Sequence, residues 1–118
     1  MFASLPSDRL GDLLDVGTWS TVAPGVEVVV QGDVGDAFYA IRSGHAEVLR
    51  DGAVVAALGA GDYFGEAALL TNAPRNATVV ARTPMRVFRL PRPGFEAIVA
   101  EAFRQSFLIP SAARDMEH

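Results

Sequence analysis

The sequence has no cysteine and only two histidines. Without a thiol there can be no disulfide framework, thiolate nucleophile, zinc knuckle or iron–sulfur cluster. A metal centre of the cupin kind needs several histidines and a carboxylate on facing strands, and His45 and His118 alone cannot build it. His45 reads as an exposed residue at the start of a strand. No serine, histidine and aspartate fall in the order of a nucleophile-turn hydrolase. The chain is therefore expected not to be an enzyme.

Long apolar runs are missing as well. The longest, such as Ala53 to Leu58, falls far short of the roughly 18 to 20 residues that cross a bilayer. Met1 to Leu5 lacks the basic stretch of a signal peptide, and Pro6 with Asp8 interrupts any apolar continuation. The expectation is a cytoplasmic domain with no membrane span. A basic stripe is also lacking. The net charge is −4, and Arg82, Arg86, Arg89 and Arg92 read as solvated positions on and after a strand. Nothing here would displace counterions from a phosphate backbone, so nucleic acid is not an expected partner.

What is present suits one folded unit. Half of the 118 residues are apolar and 20% are charged, enough for a single hydrophobic core spanning residues 1–118. Ser7 to Val16 carries Leu10, Leu13 and Leu14 at helical spacing, with Ser7 or Asp8 as cap and Gly17 as stop. From Val22 the period changes to two, and turn residues recur every eight to twelve positions. Pro24-Gly25 is a type II turn signal. Strands are expected at Val26 to Gln31, Ala37 to Arg42, His45 to Arg50, Ala53 to Leu58, Ala77 to Arg82 and Met85 to Leu90. Asp51-Gly52 marks a two-residue hairpin. Phe95, Ile98, Val99, Ala102, Phe103 and Phe107 trace one helix face until Pro110, and residues 111–118 read as a frayed tail. Helix, short strands, helix is the order of a mainly β fold, an antiparallel jelly roll or barrel with flanking helices.

The segment FGEAALLTNAPRNATVV, Phe64 to Val80, does not fit a plain strand or a solvated helix. It is small and apolar yet holds one acid, Glu66, and one base, Arg75, without opposite charges at helical spacing. A helical turn beginning near Gly65 would offer unpaired amides to an anion, and Gly65, Ala67 and Ala68 leave room for close approach. Pro74 fixes the chain before Arg75, whose planar fork suits two charge-assisted bonds to phosphate oxygens. Glu66 can only accept, so a sugar hydroxyl is its natural partner. A cyclic nucleotide combines these parts on one ligand.

The runs Phe64-Gly65-Glu66-Ala67-Ala68-Leu69-Leu70 and Pro74-Arg75-Asn76-Ala77-Thr78-Val79 resemble the phosphate-binding cassette of cyclic-nucleotide-binding domains. Pro24-Gly25, Gln31-Gly32-Asp33, Gly35-Asp36-Ala37-Phe38-Tyr39, Ser43-Gly44, Leu58-Gly59 and Gly61-Asp62 are similar to that family's turn punctuation. The resemblance covers about residues 2 to 104. It implies a β jelly roll of about eight strands with short N- and C-terminal helices.

For the site, the resemblance implies that Arg75 pairs with the cyclic phosphate and Glu66 with the ribose 2′-hydroxyl. Amides around Gly65, Ala67, Ala68 and Ala77 would complete the cradle, and Val48 would lie against the base. Phe64, Leu69 and Val79 would pack beneath. Two positions depart from the family's habit: Ala67 stands where a larger aliphatic residue is common, and Asn76 where Ala, Ser or Thr is usual. Cyclic AMP is the expected ligand with cyclic GMP as alternative, and no other cofactor is implied. Occupancy would be relayed through the C-terminal helix to a protein partner or attached module. The alternative is a jelly roll that has lost its ligand and docks on a protein through Phe103, Phe107, Leu108 and Ile109.

Overall fold

The computed structural model describes residues 16–107. Eight strands succeed one another: β1 (Thr18–Val22), β2 (Glu27–Val29), β3 (Ala37–Ser43), β4 (Ala46–Arg50), β5 (Ala53–Leu58), β6 (Tyr63–Phe64), β7 (Thr78–Ala81) and β8 (Met85–Pro91). They form two antiparallel four-stranded sheets, β1-β8-β3-β6 and β2-β7-β4-β5, the jelly-roll arrangement expected. Between β6 and β7 lies a short helix, α1 (Glu66–Thr71). After β8 a continuous helical stretch runs through α2 (Arg92–Gly94), a π-helical turn (Phe95–Val99) and α3 (Ala100–Phe107). The helix expected over Ser7 to Val16 lies outside the described residues except for Val16, which is helical.

Alternation along β3 and β8 explains why there are two apolar clusters. Ala37, Tyr39 and Ile41 of β3, Phe64 of β6 and Met85 and Val87 of β8 face the other sheet, where they meet Val29, Val48, Leu58 and Val79. The intervening Phe38, Phe88 and Leu90 face the opposite way and are covered by Phe95, Ile98, Val99 and Phe103 of the C-terminal helical stretch, with Leu69 of α1. Strands covered on both faces read as nearly continuous apolar runs, which is how β3 appears from Ala37 to Ile41, while β8 interrupts its run with Arg86 and Arg89. Leu69 places α1 in the same cluster as the C-terminal helix. The loop that carries the cassette thus touches the element after β8.

Turn chemistry fixes the register. Asp51 and Gly52 both have positive φ, 54° and 84°, the geometry of a type I′ hairpin, and they join β4 to β5 as expected. At Pro24-Gly25 the Val26 amide donates to the Ala23 carbonyl at 3.2 Å and closes the turn.

Two strands differ from the sequence expectation by their presence. β1 has four of its five residues exposed, so no apolar alternation announced it. β6 is two residues long, too short to carry a period. β2 is shorter than Val26 to Gln31 because Gln31 leaves the ladder: its amide donates to Thr78 Oγ1, and its side chain turns to Asp51. The C-terminal helix starts at Arg92 rather than near Phe95, since Pro93 is tolerated in a first helical turn.

Candidate functional site

The cassette is built by three local devices. β6 docks against β3, with Phe64 opposite Tyr39 and their rings stacked at 5.0 Å. The chain then turns at Gly65, whose φ of 96° is open to glycine and costly for other residues, and α1 starts at the next residue. Asn72, in the left-handed region at φ 56°, ends α1 after six residues. The chain is thereby free to return through Pro74 towards β7.

Arg75 is held on this return by backbone and side chain alike. Its amide donates to the Asp33 carbonyl at 2.8 Å, and its carbonyl accepts from the Gly32 amide at 2.8 Å, so the loop after β2 clasps it. Its side chain is 4% exposed, a buried cation in a small domain. Nη1 donates to the Gly65 carbonyl at 2.9 Å and Nη2 to the Ala37 carbonyl at 2.8 Å. Asp36 Oδ1 stands 3.6 Å from Nη2, an ion-pair distance beyond hydrogen-bond reach. Two of the five guanidinium N–H groups are spent on the two carbonyls.

Burial pushes the Arg75 pKa down from the ordinary arginine value. Tyr39 and Asp36 act in the opposite sense, Arg92 lowers it further, and Glu66 raises it most weakly. The group remains a cation at neutral pH, because an arginine side chain starts from far above neutrality.

Seven of the eight residues singled out in the sequence line one hollow. Gly65, Ala67 and Ala68 come from the start of α1, Arg75, Asn76 and Ala77 from the return, and Val48 from β4 across the sheet. Phe64, Val79 and Val29 complete the wall, the first two as the expected packing residues. The hollow is shallow: it encloses about 20 Å³, and about 360 Å³ only with the open solvent at its mouth included. Its deep part is apolar and its single buried charge is Arg75. Glu66 is not part of this lining. It opens α1 beside Gly65, half-buried, with Oε1 fully enclosed.

Four contributors were not singled out in the sequence. Asp33 holds Arg75 through its carbonyl, Asp36 faces the guanidinium, and the Ala37 carbonyl takes one of its N–H groups. Arg92, read as a solvated position, is instead half-buried, with Nη2 donating to the Gly35 carbonyl at 3.0 Å and Nη1 to Asn72 Oδ1 at 2.9 Å. Carbonyl partners leave no trace in side-chain identity. Asp33 and Asp36 did stand out, as turn residues, because their loop is dense in glycine and aspartate.

Comparison with known proteins agrees with this geometry. Residues 19–102 match the family model described as cyclic nucleotide-binding domain. The chain belongs to that family. It is 45% identical over 101 residues to a cAMP-dependent protein kinase regulatory subunit of Yarrowia lipolytica, covering 84% of this chain and 27% of that protein. Among solved structures it resembles the regulatory domain of Toxoplasma gondii protein kinase A with cAMP (TM-score 0.80, 36% identity, 86% of this chain and 40% of that one). It also resembles the regulatory subunit of a cAMP-independent protein kinase A from Trypanosoma cruzi bound to guanosine (TM-score 0.78, 30% identity, 82% and 36%). The chain thus spans about a quarter of the curated relative and well under half of these structures.

Among the described residues no helix is long and apolar enough to cross a membrane.

Proposed function

We propose that this chain is a regulatory ligand-binding domain that takes a cyclic nucleotide, cyclic AMP before cyclic GMP, in the hollow under Arg75. The observation that carries this reading is a buried guanidinium, pinned by the Gly65 and Ala37 carbonyls, on the wall of an otherwise apolar hollow. A buried cation calls for an anion, and the apolar lining calls for a ligand whose remainder is flat and poorly solvated.

Arg75 then pairs with the cyclic phosphate, and amides around Gly65, Ala67, Ala68 and Ala77 complete the cradle. Glu66 accepts from the ribose 2′-hydroxyl, while Val48 and the exposed Asn76 flank the base. The Yarrowia lipolytica relative is named for a cAMP-dependent kinase, which favours adenine; the Trypanosoma cruzi relative is bound to guanosine, which keeps cyclic GMP as the second candidate. No covalent step is part of this reading, so the domain is a sensor and not an enzyme. It acts as one unit over residues 1–118, in the cytoplasm, on a protein partner or attached module, and the relatives' names suggest a protein kinase. Two links reach the C-terminal helix and could relay occupancy to it: Leu69 of α1, in one apolar cluster with Phe95, Val99 and Phe103, and Arg92, which ties Gly35 and Asn72 to the start of that helix.

A thermal-shift titration with cyclic AMP, cyclic GMP and plain AMP tests the reading, because a ligand that binds only the folded state raises its stability by mass action. Cyclic AMP should raise the melting temperature most and AMP least. If none of the three does so for a chain that circular dichroism finds folded, the protein-docking alternative takes its place.

A further inference from the structure

Arg50 is the last residue of β4 and is exposed. β4 pairs regularly with β7 as far as Leu49, and its register shift against β5 leaves the extra residue, Val55, on β5, so strand alternation puts Arg50 on the same face as Val48, two residues earlier. Val48 is buried in the wall of the hollow. The Nε of Arg50 donates to the Asn76 carbonyl at 3.2 Å, and Asn76 lines the hollow next to Arg75. One arginine is thus tethered at the exposed rim, between Val48 and the cassette.

What this guanidinium lacks is an acid. Among the described residues no carboxylate lies within ion-pair distance of it, although Asp51 follows it directly in sequence. Asp51 is engaged by Gln31, whose Nε2 donates to Asp51 Oδ1 at 2.9 Å and whose Oε1 accepts from the Asp51 amide at 2.9 Å. Arg75, Arg82, Arg89, Arg92 and Arg104 each face a carboxylate within 4 Å. Arg86 offers a different comparison: its guanidinium carbon lies 5.2 Å from the Trp19 ring centroid, so an arginine of this domain settles on an aromatic face.

Resting on the reading that the hollow binds a cyclic nucleotide, we infer that Arg50 holds the base, laying its guanidinium against the ring while Val48 supports it from below. The tether at Nε limits how the plane can swing, and Nη1 and Nη2 remain at the rim. The phosphate is not its target: a cyclic phosphodiester carries one charge, and the buried Arg75 answers it. Every nucleobase has a π face, so this contact adds affinity without choosing between adenine and guanine.

The test measures dissociation constants of the full chain and its Arg50→Ala and Arg50→Gln variants for three ligands. These are cyclic AMP, cyclic GMP and a cyclic ribose phosphate without a base, read by competition against a fluorescent cyclic nucleotide. Arg50→Ala should weaken both nucleotides by about 5- to 20-fold and leave the base-free ligand within about twofold. Arg50→Gln keeps a donor for the Asn76 carbonyl but removes the cation, so it should show the same pattern even if the alanine variant melts early. An equal loss for all three ligands would mean that Arg50 only props the Asn76 loop or touches the phosphate, and overturns the inference. So does no loss at all. A wild-type chain that binds neither nucleotide overturns the proposed function, and this inference with it; wild-type binding with unchanged variants removes Arg50 alone.

Discussion

Gly65 and Arg75, ten residues apart in the chain, share one contact that leaves no room for a side chain. Nη1 of Arg75 donates to the Gly65 carbonyl at 2.9 Å, and a Cβ on Gly65 would lie 2.9 Å from that same nitrogen and 3.0 Å from the Ala37 carbonyl. The φ of 96° at Gly65 adds backbone strain for any other residue. Gly65→Ala should therefore cost about 1–3 kcal/mol of stability. It should also displace the guanidinium and weaken cyclic AMP by more than tenfold. Urea denaturation and calorimetry check the two effects; full affinity in a folded Ala variant would show that the guanidinium position does not set binding.

On the proposed function Arg75 has two duties, and its removal should show both. In Arg75→Ala the Gly65 and Ala37 carbonyls lose their donors, a cost of about 1–3 kcal/mol partly offset by no longer burying a charge. The affinity for cyclic AMP should fall by about 2–4 kcal/mol, roughly 30- to 1000-fold. Arg75→Lys keeps the charge but cannot fork between two carbonyls, so it should recover only part of the loss. Calorimetry on both variants decides. Equal affinity for Lys and Arg would reduce the role of Arg75 to that of a point charge.

Glu66→Gln should weaken cyclic AMP less than Arg75→Ala does, because the amide oxygen still accepts a hydrogen bond without the charge. The ligand 2′-deoxy cyclic AMP isolates the cause. Wild type should bind it more weakly than cyclic AMP, and the Gln variant should discriminate less between the two. A variant that keeps the full discrimination would separate Glu66 from the ribose.

Burial lowers the folded-state pKa of Arg75, so the folded protein holds that proton less tightly than the unfolded chain does. The charge then costs stability at every pH below the lowered value, and the cost fades only as pH rises from there towards the higher unfolded value. None of this falls near neutrality. Cyclic AMP affinity should accordingly be flat between about pH 7 and 9, a window in which arginine stays protonated. Titration calorimetry across that window would expose an error if affinity dropped as pH rose.

These outcomes also mark where the sequence was legible. Gly65, Ala67, Ala68 and Arg75 stood out because their chemistry resides in residue type: a positive φ, small volume, a planar cation; Val48, Asn76 and Ala77 were reached only through the resemblance to the family's cassette. The hairpin at Asp51-Gly52 was found from its residue types too. β1 was not, because an exposed strand such as Thr18–Val22 has no apolar period to display. The placement of Glu66 beside the hollow and not in its wall depends on where the turn at Gly65 aims the first residue of α1, which pattern alone does not encode. Arg92 was misjudged because its partners are a carbonyl and an amide oxygen scattered over 57 and 20 residues of separation.

Arg92 is also where a signal would pass from the site to the C-terminal helix. It begins α2, its amide donates to the Asp36 carbonyl at 2.9 Å, and its side chain reaches Gly35 and Asn72, the residue that ends α1. Asp36 itself faces Arg75 at 3.6 Å. One residue therefore ties the loop beside Arg75, the far end of α1 and the start of the terminal helix. A ligand drawing on the Arg75 fork alters the first two, and the third responds only if the ties hold, because a ligand shifts a population by the difference in its contacts with the two states. Arg92→Ala should lower stability by about 1–2 kcal/mol, as expected for lost side-chain hydrogen bonds. It should leave cyclic AMP affinity within about threefold, roughly 0.7 kcal/mol. Hydrogen exchange over Phe95 to Arg104 should change on ligand addition in wild type and change much less in the variant. If the variant's helix responds as fully as wild type, the apolar contact of Leu69 with Phe95, Val99 and Phe103 carries the signal and Arg92 serves the fold alone.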